Sequence, residues 1–306
     1  MNRATVIYPG NCRHIGLFSS RIIQNRKKQM NKFKSVLIVF ALSYSVINAQ
    51  LKLYGTAKPA DLMIGYAKNI SSVSLDGDNL QFDKNGFFVF GFDRDAKGTH
   101  TLILNYTNNK KETKTFNLPN RKYIIQRLKM ADKYVNPPEE EMERIEKEAA
   151  EMKKARATIG IIDSALFSSG FDYPVRNPRR TSEFGSQRIL NGVPKSPHNG
   201  IDFGADRGTD ILAAADGVVA IAGDNFYYNG NFVLLDHGQG LTSVYLHMSK
   251  CIVKTGDRVK KGQKLGEVGT TGRSTAPHLH FGVQWYGKRI DPMSMINLKF
   301  PDKNHE

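Results

Sequence analysis

Apolar and polar residues alternate over short stretches in the first half of the chain, and turn residues separate these stretches. Between residues 50 and 128 the alternating runs end at Asp76-Gly77, at Asn85-Gly86 and at Asn108-Asn109. Alternation with a period of two is typical of strands with one buried face, and Asp-Gly or Asn-Gly between such runs marks a hairpin. The pattern therefore predicts a small antiparallel β-sandwich over residues 50–128.

One helix is predicted between residue 137 and about residue 157. Three glutamates follow Pro137-Pro138, and bases gather at the other end, an order that complements the helix dipole. Four apolar residues recur at steps of three and four, which predicts one narrow stripe that docks on a neighbouring element. The stripe consists of Met142, Ile145, Ala149 and Met152.

From residue 171 to residue 293 the chain consists of short apolar runs separated by glycines, with little helical period, which predicts an all-β region. The stretch 256–266 is similar to the turn and strand of biotinyl or lipoyl carrier domains. A carrier needs a lysine at a hairpin tip, and the tip-like segment Gly269–Arg273 has none. We interpret this similarity as shared barrel-sandwich geometry. The alternative is a carrier domain, which would have a modified lysine near Lys264.

The first 49 residues have the character of an export signal. They hold eight basic residues and no acid, out of a net charge of +15 for the whole chain. A basic stretch after Met30 precedes an apolar run over residues 36–47, which is shorter than the roughly 20 residues of a membrane span. We expect translation to start at Met30, cleavage after Ala49 and delivery to the periplasm or cell envelope. Because Ile47 is bulky for a cleavage site, an uncleaved anchor is the alternative.

These patterns together predict a mainly β protein with four parts. They are a leader at 1–49, an Ig-like β-sandwich accessory domain at 50–128, a helical linker at 129–170 and a C-terminal antiparallel, barrel-sandwich-like domain with a groove at 171–306. No stable transmembrane span is expected. No basic and aromatic module for nucleic acid is present, so nucleic acid is excluded as a partner.

The candidate chemistry lies in histidines and one aspartate, because the only cysteines are Cys12 and Cys251. His198 and Asp202 are four residues apart, and the glycines around Asp202 favour one strand that carries both side chains on the same face. In His278-Leu279-His280 the two imidazoles face the same side of a strand, and their backbones are about 6.6 Å apart. One of this pair can ligate a metal while the other stands just outside its coordination shell.

Two histidines and one carboxylate meet the ligand count of a hydrolytic zinc site, which keeps a fourth position for water. A neighbouring imidazole can then accept the proton of that water or donate to the oxyanion. His247 lies on a similar alternating stretch and is a candidate for this role. Cys251 has no identifiable partner for nucleophilic catalysis, and we expect it to be buried and inert.

Five segments between residues 171 and 293 match one family. They are His198-Asn199-Gly200-Ile201-Asp202, Ala213-Ala214-Ala215-Asp216-Gly217-Val218-Val219, Asp236-His237-Gly238, Tyr245-Leu246-His247 and His278-Leu279-His280-Phe281. In these segments the sequence resembles the LytM/lysostaphin-type M23 metallopeptidases, secreted zinc endopeptidases that cut peptide bridges in bacterial peptidoglycan. The sandwich and helix look like the accessory regions of Gram-negative-type members.

The resemblance implies a zinc-activated water that hydrolyses peptide crosslinks of peptidoglycan. It implies that His198, Asp202 and His280 bind one Zn²⁺, and that His247 and His278 flank the water as general base and transition-state stabiliser, in either order. A catalytically silent protein of the same fold, which binds peptidoglycan or activates an amidase, is the alternative function, and a regulatory protein partner is expected in some members.

The other histidines are interpreted as packing or surface residues. Apart from His14 in the leader, they are His100, His237 and His305, of which His237 is expected in a turn. The aromatic segment 225–229 is predicted to be a loop that either rims the groove or packs against a strand.

Overall fold

Seven strands build the first part of the fold in the computed structural model, which describes residues 51–299. The predicted export signal and His305 lie outside this range. These strands are β1 (Lys52–Gly55), β2 (Leu62–Tyr66), β3 (Ile70–Leu75), β4 (Asp78–Leu80), β5 (Phe87–Gly91), β6 (Gly98–Tyr106) and β7 (Lys111–Leu118). They form two sheets in the orders β1-β2-β5 and β4-β3-β6-β7.

The two sheets pack face to face as the predicted sandwich, with Phe90 of β5 and Phe116 of β7 separated by 5.9 Å between ring centroids. The hairpin at Asp76-Gly77 is confirmed because β3 pairs with β4, and the hairpin at Asn108-Asn109 is confirmed because β6 pairs with β7. The prediction of a hairpin at Asn85-Gly86 was wrong. The chain does turn there, but β4 joins one sheet and β5 the other, so the turn connects the two layers.

A helical connection follows the sandwich. Strand β8 (Ile125–Leu128) leads to helix α1 (Glu139–Arg156), which begins after Pro138 and ends before Ala157 as predicted. The docking stripe was only partly right, because Met142 and Ala149 are exposed while Met152 is half-buried. Met152 and Ala155 pack on a buried cluster formed by Ile221, Phe226, Phe232 and Leu234. The contacts of the helix with this cluster are therefore concentrated near its C-terminal end and do not follow the whole predicted stripe.

The C-terminal part is built from twelve strands and one short helix. They are β9 (Arg179–Ser182), β10 (Gln187–Leu190), β11 (Val193–Pro194), β12 (Gly200–Gly204), β13 (Asp210–Leu212), β14 (Gly217–Phe226), β15 (Gly230–Asp236), β16 (Leu241–Cys251), β17 (Arg258–Val259), β18 (Lys264–Val268), β19 (His278–Trp285), β20 (Lys288–Ile290) and α2 (Pro292–Ile296). The main sheet has the order β17-β14-β15-β16-β19-β12-β9. β13 pairs with β18, β18 also pairs with β16, and β20 pairs with β19.

The mainly β class with antiparallel sheets is confirmed. One pair departs from it, because β8 runs parallel to β10, and β11 completes this small fourth sheet. Strand β8 therefore lies within the residues predicted as sandwich but pairs with the C-terminal part. The described residues belong to one compact unit that runs from Gln50 to Glu306, and the predicted domain limits stay a prediction. None of the described helices is long and apolar enough to cross a membrane.

The sandwich is fastened to the main sheet by buried polar contacts. The Gln239 side chain is 1% exposed. Its amide nitrogen donates to the carbonyls of Phe87 and Asp163 at 3.0 and 2.9 Å, and its amide oxygen accepts from Val89 N–H at 3.1 Å. Arg289 adds two hydrogen bonds to Asp93 from its guanidinium. The sandwich therefore has a defined position against the sheet.

Gln239→Ala should lower the free energy of unfolding by about 2–4 kcal/mol, because it leaves the Val89 N–H and the Asp163 carbonyl unpaired, at about 1–3 kcal/mol per group, while the Phe87 carbonyl still accepts from the Asp83 N–H. Denaturant titration followed by fluorescence measures this change. Thr99→Ala is the control, since it removes an exposed hydrogen bond to Asn117 and should change stability by less than about 0.5 kcal/mol. A loss for Gln239→Ala as small as that of the control would contradict the prediction.

Candidate metal centre

Three predicted ligands meet on neighbouring strands. Asp202 on β12 stands directly opposite His280 on β19 in the antiparallel ladder. His198 precedes β12, so the expectation that His198 and Asp202 share one strand was wrong: the loop before β12 carries the imidazole to the carboxylate. Gly200 leaves room for the His280 ring, since a Cβ there would lie 2.7 Å from His280 Nε2.

The ligand atoms form a small triangle. His198 Nε2 lies 3.0 Å from Asp202 Oδ1 and 2.9 Å from His280 Nδ1, and His280 Nδ1 lies 2.8 Å from Asp202 Oδ1. His198 is 1% exposed and Asp202 8%. Two imidazoles and one carboxylate at such distances can hold a metal ion, and this donor set is that of catalytic zinc sites. The residues present therefore fit the metal that the sequence implies.

Contacts behind the triangle orient His198. Its Nδ1 lies 3.0 Å from the Glu183 carbonyl and 3.1 Å from the Ser182 hydroxyl. A proton on Nδ1 donated to the carbonyl leaves the lone pair of Nε2 directed at Asp202 and His280, which is how histidine ligands are commonly fixed. Arg188 Nη2 lies 3.4 Å from the second oxygen of Asp202. The sequence analysis did not find these supporting residues, because no spacing relates them to the ligands.

The charges of the triangle are strongly coupled. Burial raises the pKa of the Asp202 carboxyl, but its hydrogen bonds to His198 and His280 outweigh burial and hold the pKa well below the usual range. Burial lowers the pKa of His280 to about 4, against the raising effect of the Asp202 carboxylate. At neutral pH the site therefore presents an ionised carboxylate and a neutral His280, the protonation states that a metal ligand needs.

The two predicted flanking histidines are beside the triangle. The His247 and His278 rings are 5.0 Å apart between centroids, and His278 Nε2 lies 3.8 Å from Asp202 Oδ1. In each ring Nδ1 contacts a backbone carbonyl, that of Thr271 at 2.9 Å for His247 and that of Ala276 at 2.8 Å for His278. If Nδ1 carries the proton in each, Nε2 is left with a lone pair for substrate or water.

His247 has two further features. Its backbone has a φ of 66°, which is rare for a residue other than glycine, and its N–H donates to the Asn229 carbonyl at 3.0 Å. Burial, then the charges of His280 and His278, lower its pKa to about 3, so the ring is neutral at physiological pH. Backbone strain of this kind is concentrated at functional sites.

A cavity of about 320 Å³ opens on the triangle, and His198, His247 and His280 are in its wall. The predicted aromatic loop at 225–229 begins only at Tyr227, because Asn225 and Phe226 end strand β14. Tyr228 and Asn229 line the cavity, while Phe226 packs on Phe232 at 4.9 Å between ring centroids. Helix α1 also reaches this wall through Met152 and Arg156. Glu148 of the helix accepts the N–H of Tyr227 at 2.8 Å, so the linker supports the loop.

The residues assigned to packing behave as such. His237 is fully buried, with Nδ1 at 2.7 Å from the Asp216 carbonyl and Nε2 at 2.7 Å from the Ser243 hydroxyl. His100 pairs with Asp76 on the sandwich. Burial raises the pKa of the half-buried Cys251 thiol to about 11, which makes it a poor nucleophile.

The carrier alternative has no structural support at Lys264. This residue begins strand β18 instead of occupying a hairpin tip, and its ammonium forms ion pairs with Asp210 at 2.6 Å and Glu267 at 2.9 Å.

Comparison with known proteins identifies relatives of the C-terminal part of the chain. The model of Peptidase family M23 matches residues 196–292. Peptidoglycan DD-endopeptidase ShyA of Vibrio cholerae is 42% identical over 123 residues, which are 40% of this chain and 28% of the relative. Peptidoglycan DD-endopeptidase ShyC of Vibrio cholerae is 44% identical over 124 residues, again 40% of this chain and 28% of the relative. The matched part thus spans less than a third of the length of these relatives.

A solved structure extends the likeness beyond the matched segment. A crystal structure from Pseudomonas aeruginosa, named as peptidase M23, superposes with a TM-score of 0.57 and 27% identity over 79% of this chain and 95% of that one. The alignment therefore includes residues before the matched segment. From the family match, the relatives and this structure, we conclude that residues 196–292 form a domain of Peptidase family M23.

Proposed function

We propose that this protein is a zinc-dependent endopeptidase that hydrolyses peptide crosslinks of bacterial peptidoglycan, at the bond between D-Ala and a diamino acid. The observation that carries the proposal is the triangle of His198, Asp202 and His280 beside an open cavity with two further imidazoles. The names of ShyA and ShyC, which are DD-endopeptidases, support the bond and the substrate.

His198, Asp202 and His280 would hold the zinc ion. Bound there, zinc would lower the pKa of water and polarise the carbonyl of the scissile amide. The single carboxylate leaves the ion with net positive charge, which favours both effects. The Glu183 carbonyl and the Ser182 hydroxyl keep His198 in the orientation that ligation requires.

His247 and His278 would move the protons of the reaction at their Nε2 atoms. One Nε2 would accept the proton of the attacking water and pass it to the nitrogen of the breaking amide, while the other, in its protonated form, would stabilise the developing oxyanion as a hydrogen-bond donor. The carbonyls of Thr271 and Ala276 hold each ring by Nδ1, so each Nε2 keeps its direction while it is protonated and deprotonated. No covalent intermediate is required.

Peptidoglycan lies outside the cytoplasmic membrane, so this function requires export. We place the protein in the periplasm or cell envelope, with the basic and apolar segment of the first 49 residues as the export signal. An apolar run too short to span a bilayer and the small-residue end at Ala49 support this placement.

Digestion of defined muropeptides tests the function. The purified protein should convert a crosslinked dimer into two monomers, identified by mass, and should leave uncrosslinked monomers unchanged. Chelation should stop the reaction and added Zn²⁺ should restore it. A protein that binds zinc and peptidoglycan but leaves every dimer intact would instead be the catalytically silent binder.

A further inference from the structure

The cavity beside the metal triangle has a surplus of positive charge. Arg156 from α1, Arg188 from β10 and Arg273 from the β18–β19 connection line it, and no Asp or Glu is among its described lining residues. Within residues 51–299 the only ion pair of these three arginines is Arg188 with Asp202 at 3.4 Å, while Asp202 is also engaged by two histidines. Arg156 and Arg273 therefore have no acidic partner in the described part.

Two of these guanidinium groups are held in place by the fold. The Arg273 guanidinium lies 4.7 Å from the centroid of the Tyr228 ring, and its backbone N–H donates to the Tyr228 carbonyl at 2.9 Å. The Arg188 side chain is 23% exposed. Stacking and burial thus hold the N–H donors of these two guanidinium groups in place at the cavity wall, so that little side-chain entropy is lost when a ligand binds.

Polar atoms in this wall lack partners. Arg188 Nε and Asn199 Oδ1 are buried without a hydrogen bond to any described residue. A buried polar atom without a partner costs about 1–3 kcal/mol, so such atoms are commonly satisfied by a ligand or by water. Arg188 Nε is a donor within a positively charged guanidinium, and Asn199 Oδ1 is an acceptor on the residue that follows His198. The cavity wall therefore offers a donor for an anion and an acceptor for the N–H of a neighbouring amide.

Guanidinium groups match the two oxygens of a carboxylate through paired N–H donors. The cavity is continuous with the metal triangle, so the carboxylate belongs to the residue at or next to the scissile bond. Resting on the proposed function, this residue is the diamino acid of the crosslink. If it is a dicarboxylic diamino acid, it has a free carboxylate on the carbon that carries the acylated nitrogen, whereas lysine has a hydrogen there.

We propose that Arg188 and Arg273, with Arg156 at the rim, form a subsite that binds the free carboxylate beside the scissile amide. The enzyme then selects crosslinks made through a dicarboxylic diamino acid over those made through lysine or a carboxamide. Arg156 and Arg188 lie outside the matched residues 196–292, so helix α1 and the segment before the family domain take part in substrate choice.

The test compares two crosslinked dimers that differ only in this group, a carboxylate in one and a carboxamide in the other. The native protein should cleave the carboxylate dimer with a kcat/KM about 10- to 100-fold higher, the value of one charge-assisted hydrogen bond. Arg273→Gln should lose this preference by a slower reaction on the carboxylate dimer, with the carboxamide dimer little affected. Arg273→Lys should restore part of it.

Two measurements separate charge recognition from damage to the site. Zinc content of Arg273→Gln should equal that of the native protein, and chelator-treated protein should bind the carboxylate dimer more tightly than the carboxamide dimer in calorimetry. Lys153→Gln, which removes an exposed positive charge on helix α1 outside the described lining of the cavity, is the control and should keep the native preference.

The outcomes distinguish the subsite from the function. Equal cleavage of both dimers by native protein and by Arg273→Gln would overturn the carboxylate subsite and leave the endopeptidase proposal intact. A third dimer, in which only the C-terminal carboxylate is converted to an amide, is a further probe. If the native protein no longer cleaves this dimer, the recognised carboxylate is the C-terminal one, and the proposed subsite is overturned. Cleavage of neither dimer by native protein would instead refute the proposed function.

Discussion

Asp202→Ala should abolish crosslink cleavage and lower zinc binding together. Asp202 is the only carboxylate in the triangle, and its Oδ1 touches both histidine nitrogens, at 3.0 and 2.8 Å. A bound metal contributes several kcal/mol to stabilisation of the transition state, so its loss should reduce kcat/KM by about 10³-fold or more. Muropeptide digestion and metal analysis of the purified variant measure both effects.

Asp210→Ala is the matched control. Asp210 is an aspartate at the start of a strand of the same sheet, but it pairs with Lys264 at the surface and should be dispensable for both readouts. Circular dichroism shows whether each variant is folded. Native-like cleavage by a folded Asp202→Ala protein would refute the metal mechanism. Retained wall association without any cleavage, in native and variant protein alike, would favour the silent binder.

Substitution of either flanking histidine should separate chemistry from metal binding. His247→Ala and His278→Ala should each lower kcat by about 10²- to 10⁴-fold, the contribution of one positioned acid or base. Zinc content should stay native, because neither imidazole belongs to the triangle, and His278 Nε2 lies 3.8 Å from Asp202 Oδ1. Single-turnover rates and metal analysis provide the comparison.

The pH profile then assigns the two roles. Loss of the acidic limb of kcat in one variant identifies its histidine as the base, because that limb reports protonation of the group that must accept a proton. His100→Ala, in the sandwich, is the control and should retain native kcat. A fall in zinc content on His247→Ala or His278→Ala would show instead that the residue is a ligand, and the division of roles proposed for the five residues would be wrong.

Local pattern was sufficient for the parts of the fold that depend on neighbours in sequence. The bounds of α1 follow from the prolines before it and the charge order within it, and the hairpin at Asp76-Gly77 follows from turn chemistry. The strand that carries His278 and His280 was predictable, since alternate apolar residues face one side and the imidazoles the other. Each of these features depends on interactions within about ten residues.

Tertiary packing decided the features that local pattern described wrongly. The turn at Asn85-Gly86 has hairpin chemistry, but the strands on either side find better partners in different sheets. The docking stripe of α1 was predicted to run from Met142 to Met152, yet Met142 and Ala149 are exposed. Of the stripe, Met152 packs on the β14–β15 cluster, because that surface lies near the C-terminal end of the helix. Short-range amphipathicity is too weak to define such a face by itself.

The sequence alone determined the identity of the chemical groups: two imidazoles, one carboxylate and two further imidazoles in three of the five matching segments. Only the tertiary structure brought His198 to His280, which is 82 residues away, and added Arg156, Arg188 and Arg273 to the same cavity. The physical reason is that a ligand set needs particular atom types, which residue identity supplies. A binding wall also needs charges from distant elements, and only strand register and helix docking bring these together.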